Sequence, residues 1–250
     1  MLLAIDIGNT TINLGIFNKD KLLYKIFCSS QKQLFSDFIE ILNSISIKYN
    51  IKECIISSVV DEITEEVKNS VLKIFKIHSK IVSIDCNLNI NFKQNNPKIG
   101  IDRIVNSIGA LSLYQAPVII IDSGSATTFD IVDKNKTFIG GLIMPGIDIQ
   151  LKSLYNETSK LPNIKLNEFK KNNHTINIDT KQAILSGVIK GHAHAIEGLI
   201  EDCKKELDGH STVVLTGGCS KLLSNIINKN FYDYVNPDLT LYGLYIANKY

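Results

Sequence analysis

Residues 2–17 read LLAIDIGNTTINLGIF, and residues 118–133 read VIIIDSGSATTFDIVD. These are the same design written twice. Each begins as a short apolar run that ends in an aspartate, Asp6 or Asp122. Each continues through a turn of glycine and hydroxyl residues, and aligning the aspartates aligns Gly8 with Gly124. In the first copy Ile12, Leu14 and Ile16 then alternate with Asn13 and Gly15, the period of a half-buried strand. In the second copy the returning strand passes through Phe129 and Ile131. A polar turn follows in both, at 18–21 and 133–136, and a third strand follows the turn (LLYKIF, TFIGGLI).

Working outward, helix and strand patterns follow each triplet. Residues 31–49 carry apolar side chains at helical spacing. CIISSVV at 54–60 reads as a buried strand, EITEEVKNSVLKIFK as an amphipathic helix and KIVSID as another strand. In the second half, residues 180–207 form a long helical pattern with glycines at 187, 191 and 198. STVVLTGG then reads as a strand entering a glycine turn, and LYGLYIANKY as a closing helix. The polar stretch 163–178 reads as a surface excursion. The expected fold class is α/β: two halves of related topology, 1–116 and 117–250, with a cleft between them and the boundary near Ala116-Pro117.

Composition narrows the function classes. A formal net charge of +2 supplies no basic field of the kind nucleic acid attracts, so no nucleic-acid partner is expected. No apolar run approaches the roughly 18 residues of a membrane helix, so no membrane partner is expected either. The stretch MLLAIDIGNT lacks the basic start of a signal peptide, and the protein is expected in the cytoplasm. Its five cysteines are odd in number and never form a C-x-x-C pair, which favours reduced thiols over disulfides or zinc.

Three stretches carry candidate chemistry. In DIGNTT, glycine lets backbone approach a phosphate closely, and successive N–H groups of the turn can point at its oxygens. Asp6 stands where a carboxylate can hold Mg²⁺ through water. A plain hairpin with a capping aspartate explains one such copy about as well; two copies heading two halves shift the balance towards phosphate. In DSGSATT, Asp122, Ser125 and Thr127 offer a carboxylate and hydroxyls to phosphates and a cation, and Gly217 lies in the third turn, TGG. The third stretch is PKIGIDRIVNSIGAL at 97–111. Gly100 precedes a helical run with Ile101, Ile104, Val105 and Ile108 on one side, which leaves Asp102 and Arg103 in the first turn. There the helix dipole favours a carboxylate; taken alone, a capping Asp beside a surface Arg describes them equally well. His192 and His194 are two apart on a helical pattern, face different ways and are read as packing or surface groups. Lys170-Lys171 reads as solvated.

DIGNT, GIDR, IDSGSATTFD and TGG, in this order and across nearly the whole chain, resemble the motifs of type III pantothenate kinases. The resemblance implies the acetate and sugar kinase/Hsp70/actin fold, with two ribonuclease-H-like halves. It implies transfer of the γ-phosphate of ATP to the 4′-hydroxyl of pantothenate, with Mg²⁺ and a monovalent cation (K⁺ or NH₄⁺), by a homodimer. Carried over by position, it makes Asp6, Ile7, Gly8, Asn9, Thr10, Thr11, Ile12 and Asn13 the first phosphate loop. Gly100, Ile101, Asp102 and Arg103 become the pantothenate motif, with Asp102 as proton acceptor. Asp122 becomes the monovalent-cation ligand, Ser125 a contact to the ATP phosphates in place of the more usual Thr, and Thr180 a pantothenate contact. Phe92 is the aromatic nearest to where the family carries a Tyr before G-x-D-R. Two alternatives stay open at this point: another small-molecule kinase of the same fold, or a nucleotide-binding regulator without catalysis.

Overall fold

The structure, a computed structural model, describes residues 1–31, 35–84, 86, 90–93, 98–169, 174–207 and 209–250. Pro97, at the head of the third motif, and Lys170-Lys171 lie outside the described residues. The chain forms two compact units, Met1–Leu113 together with Asp238–Tyr250, and Tyr114–Pro237.

In the first unit, β1 (Leu2–Ile7), β2 (Thr11–Asn18) and β3 (Lys21–Ser29) are the expected triplet. Helix α1 (Phe35–Lys48), β4 (Glu53–Ser58), α2 (Asp61–Phe75), the edge strand β5 (Ser79–Ile81), the short β6 (Asn91–Phe92) and α3 (Ile101–Leu113) follow. One sheet runs β3-β2-β1-β4-β5, with β1 antiparallel to β2 and parallel to β4. Apart from Asp6, strand β1 is apolar because helices cover both of its faces. Leu3, Ile5 and Ile7 pack with Phe38 and Leu42 of α1 and Val67 of α2, while Leu2 and Ala4 pack with Ile104, Val105 and Ile108 of α3. Side chains alternate along a strand, so Asp6 falls on the face of Leu2 and Ala4, towards α3.

In the second unit, β7 (Val118–Ser123), β8 (Ala126–Val132) and β9 (Thr137–Pro145) repeat the triplet. Helix α4 (Ile147–Asn156), α5 (Thr180–Glu206), β10 (Thr212–Thr216), the single turn α6 (Ser220–Leu223) and β11 (Tyr234–Val235) complete it. Its strands lie in the order β11-β10-β7-β8-β9. Ile119, Ile121, Phe129, Ile131, Val213 and Leu215 share one face and pack against Ile147 and Leu151 of α4 and Leu185, Ile189, Ala193 and Ile196 of α5. That alternation puts Ser123 and Thr127 on the helix-covered face, and Asp122, Thr128 and Asp130 on the other. Asp179 caps α5, accepting from the Gln182 backbone N–H at 2.9 Å.

Three features depart from the sequence reading. Helix α4 was not anticipated: Ile147 and Leu151, the side chains it buries, follow a Pro-Gly pair that reads as a turn. The strand expected in KIVSID is confined to β5, because only Ser79–Ile81 find partners, on β4. The closing helix α7 (Leu239–Ala247) falls within 117–250 but packs in the first unit. There Leu241 and Leu244 join the α3 cluster, and Gly109 and Gly243 let the two helix backbones touch. Among the described residues no helix is long and apolar enough to cross a membrane.

Candidate functional site

The first hairpin closes where β1 gives way to β2. The Gly8 N–H donates to Thr11 O at 2.9 Å, and Asn9 and Thr10 stand exposed at the tip. Asp6 sits just below that turn. Its carboxylate accepts from Ser57 Oγ at 2.7 Å and from Asn13 Nδ2 at 3.4 Å. Both donors face Asp6 by register: Asn13 is its antiparallel partner on β2, and Ser57 its parallel partner on β4. Burial lifts the Asp6 pKa to about 6, against the pull of these two hydrogen bonds; the negative charge of Asp102 pushes the same way as burial.

Asp102 stands in the first turn of α3. Its Oδ1 accepts from the Arg103 backbone N–H at 2.9 Å, so the carboxylate lies over the positive end of the helix. Gly100, just before the helix, leaves this carboxylate its place: a Cβ on Gly100 would lie 2.5 Å from Asp102 Oδ1 and displace it. Phe92 is half-buried beside the Ile104–Val105 cluster.

The second hairpin is built the same way. The Gly124 N–H donates to Ala126 O at 3.0 Å, and Gly124 and Ser125 are exposed. Two further segments press on it. The Gly146 N–H donates to Ser125 O at 3.0 Å, and a Cβ there would lie 2.3 Å from Gly124 O. Gly217 has φ +86°, a left-handed conformation that favours glycine, and a Cβ on it would lie 2.2 Å from Asp122 Oδ1. Thr128 Oγ1 donates to Asp130 Oδ2 at 3.4 Å on the face that also carries Asp122. Cys219, beyond the TGG turn, stays a thiol: burial first, then the charges of Asp148 and Asp122, push its pKa up to about 11.

Within the first unit, then, the charge of Asp102 in GIDR is felt at Asp6 beside the DIGNT hairpin. Within the second, Asp122, Ser125 and Gly217 converge on one hairpin. Thr180 is the first residue of α5 and is exposed, two residues after an exposed Ile178. His194 is exposed and pairs with Glu197 at 2.8 Å, whereas His192 is buried and faces Thr127 and Gln150. Four residues were not singled out for a role in the sequence. Ser57 and Asp130 need strand register to be seen. Gly146 needs the contact its missing side chain permits, and Gln150 lies on the unanticipated α4. Among the described residues no group of three or more His, Cys, Asp or Glu is placed to hold a metal ion.

Comparison with known proteins adds three kinds of likeness. Residues 2–202 match the model of a family described as type III pantothenate kinase. The chain is 37% identical to the type III pantothenate kinase of Agathobacter rectalis, covering 98% of this chain and 95% of that one. It is 34% identical to that of Bacillus cytotoxicus with the same coverage. In fold it is similar to a protein described as a Baf family transcriptional activator from Campylobacter jejuni, with TM-score 0.60 and 23% identity over 99% of this chain and 97% of the other. It is also similar to the activator of 2-hydroxyisocaproyl-CoA dehydratase from Clostridium difficile, solved with bound ADPNP, with TM-score 0.57 and 13% identity over 99% and 94%.

Proposed function

The chain belongs to the type III pantothenate kinase family, and from that premise we infer how its residues divide the work of the reaction. The protein phosphorylates pantothenate at the expense of ATP, a step of coenzyme A biosynthesis. The observation that supports the assignment of roles is that the charge of Asp102 adds to burial in raising the Asp6 pKa, which couples the DIGNT hairpin to the GIDR motif.

In this reading the loop Asp6–Asn13 and Ser125 receive the ATP phosphates, and Gly217 gives the backbone the room its turn needs beside Asp122. Gly100–Arg103, Phe92 and Thr180 form the pantothenate contacts. Arg103 pairs with the substrate carboxylate, whose two oxygens match the planar guanidinium fork. Asp102 orients the 4′-hydroxyl and takes its proton as the oxygen–phosphorus bond forms and the β–γ bridge breaks to release ADP. Such a transfer depends mainly on positioning and on stabilising charge, so the base acts late.

Asp6 fits a divalent cation: a buried carboxylate whose ionisation is opposed by burial and by a second carboxylate gains from a positive charge beside it. Mg²⁺, when bound, neutralises phosphate charge. Asp122, which shares its sheet face with Asp130, is assigned to the monovalent cation. Replacing K⁺ by Na⁺ at constant ionic strength should lower the rate; equal rates would give Asp122 another role. The working unit is read as a homodimer in the cytoplasm. Exposed Ile176 and Ile178 before Thr180 support the dimer, as does the open glycine face of α5, where nothing lies within 4 Å of a Cβ built on Gly187, Gly191 or Gly198. Free thiols at all five cysteines support the compartment. The test is purified protein with ATP, Mg²⁺, K⁺ and pantothenate, the product identified by mass. ATP turnover without a phosphorylated pantothenate would overturn the reading.

A further inference from the structure

A chain of polar side chains runs through the apolar core of the second unit. Ser123, Thr127 and His192 are each at most 2% exposed, on the sheet face packed by Ile121, Phe129, Ile147 and Ile189. Polar groups in such a place are retained at a cost unless each finds a partner, and here each does. His192 Nε2 is 3.0 Å from Thr127 Oγ1, and Thr127 Oγ1 is 3.3 Å from Ser123 Oγ. His192 Nδ1 is 2.8 Å from Gln150 Nε2, which also donates to Pro145 O at 2.9 Å.

The direction of every proton follows. The Pro145 carbonyl only accepts, so the Gln150 atom facing it is the amide nitrogen. That nitrogen's second hydrogen points at His192 Nδ1, which therefore carries a lone pair. The neutral ring then bears its hydrogen on Nε2 and donates to Thr127, whose hydroxyl donates on to Ser123. At the same residue the Ser123 carbonyl accepts from the Cys219 backbone N–H at 2.9 Å, directly after the TGG turn. The side-chain donors therefore run Gln150, His192, Thr127, ending on Ser123, whose carbonyl takes the Cys219 N–H. The chain joins α4, α5, both strands of the second hairpin and the start of α6.

We propose that His192 is a positioning residue for the nucleotide: through Thr127 and Ser123 it fixes the hairpin Ser123–Ala126 and the glycine turn before Cys219 in the geometry that receives the ATP phosphates. This rests on the assignment of Ser125 to those phosphates. Only a neutral ring with hydrogen on Nε2 serves, because an imidazolium has no acceptor for Gln150. Burial, which lowers the His192 pKa, keeps it in that form.

Steady-state kinetics on His192→Phe and His192→Gln test it. Phenylalanine keeps the ring and deletes both hydrogen bonds; the KM for ATP should rise about five- to tenfold, with the KM for pantothenate unchanged. Glutamine places an amide N–H where Nε2–H stood and should restore most of the ATP KM. Unchanged kinetics, an equal rise in both KM values, or a glutamine variant no better than phenylalanine overturns the proposal. Should the phenylalanine variant fail to fold, ¹⁵N-histidine NMR of the wild-type protein decides. The expected state at neutral pH is the Nε2–H tautomer, with resonances that move when a non-hydrolysable ATP analogue binds; an Nδ1–H tautomer, an imidazolium or unmoved resonances overturns it. Ser125→Ala separates the two readings. If it leaves the ATP KM unchanged, the assignment of Ser125 fails; if it raises that KM while His192→Phe does not, the role of His192 fails.

Discussion

At Asp6 burial, reinforced by the charge of Asp102, lifts the folded-state pKa to about 6 from the 3.8 of an exposed carboxyl. The folded state therefore holds the Asp6 proton more tightly than the unfolded chain does. Its contribution to stability is fully present below about pH 4 and is lost as pH rises through 6. Two pKa units at about 1.4 kcal/mol each amount to about 3 kcal/mol. Asp6→Asn, which cannot ionise, should gain on the wild type by up to that amount between pH 4 and pH 7.5. Denaturant titrations of the Mg²⁺-free and ATP-free proteins check this, and a difference that stays flat with pH would refute it. The same variant should lose turnover. Asp102→Asn should keep ATP affinity and lose about 10²–10⁴-fold in kcat, since the side chain is nearly isosteric and only the proton acceptor is gone. Turnover near the wild-type level would remove Asp102 from the mechanism. Both aspartates were legible in the sequence because each ends or opens a periodic segment beside a glycine. Ser57 was not: it is one of two serines closing an apolar run, and only the parallel register of β1 with β4 sets it opposite Asp6. His192 was set aside on a correct argument about helix faces, which says nothing of what a buried histidine meets on the neighbouring sheet.

Among the elements, α3 carries the acceptor motif at its N-terminus and is held from behind by α7. Their contact is backbone to backbone: a Cβ on Gly243 would lie 2.0 Å from Val105 O and 2.8 Å from Val105 C. No side-chain rotation relieves a clash with a carbonyl, so Gly243→Ala has to push the helices apart. We expect a loss of about 3 kcal/mol in urea unfolding, the upper range for overpacking, and a lower kcat as Asp102 shifts with its helix. Gly187→Ala on α5 is the contrasting case. Nothing lies within 4 Å of the added Cβ, so in the isolated subunit the helix should gain about 0.5–1 kcal/mol from lost backbone freedom in the unfolded chain. If both variants cost the same, the tight crossing of α3 and α7 is not what Gly243 provides. The two hairpins were legible because period-2 alternation and glycine turns are local signals. The placement of α7 was not, because LYGLYIANKY is apolar on all sides and nothing local says which unit it will cover. Nothing local marks Gly243, and its purpose exists only against Val105.

For the whole molecule, the twofold repeat of strand triplets announced two units of like construction, and the matching aspartates mark where chemistry is assigned to each. What the sequence does not announce is how Thr180, assigned to pantothenate by resemblance, would reach such a site. Thr180 opens α5 on the exposed side of Asp179, preceded by Ile176 at 90% and Ile178 at 106% of full exposure. Two isoleucines bared beside a residue assigned to substrate make sense if a second copy of the chain covers them, with the open face of α5 allowing close approach. Each site would then take Asp102 from one protomer and Thr180 from the other. Asp102→Asn and Thr180→Arg subunits, each inactive as a homodimer, should recover activity when unfolded together and co-refolded. A mixed dimer would have one site with both lesions and one with neither. Random pairing makes about half the dimers mixed, so about a quarter of all sites become intact, and recovery should approach a quarter of the wild-type rate. If both residues serve the same protomer's site, every site in the mixture keeps a lesion and no activity returns. Light scattering comes first: a monomer at assay concentration that still turns over pantothenate would sink the shared site before any subunits are mixed.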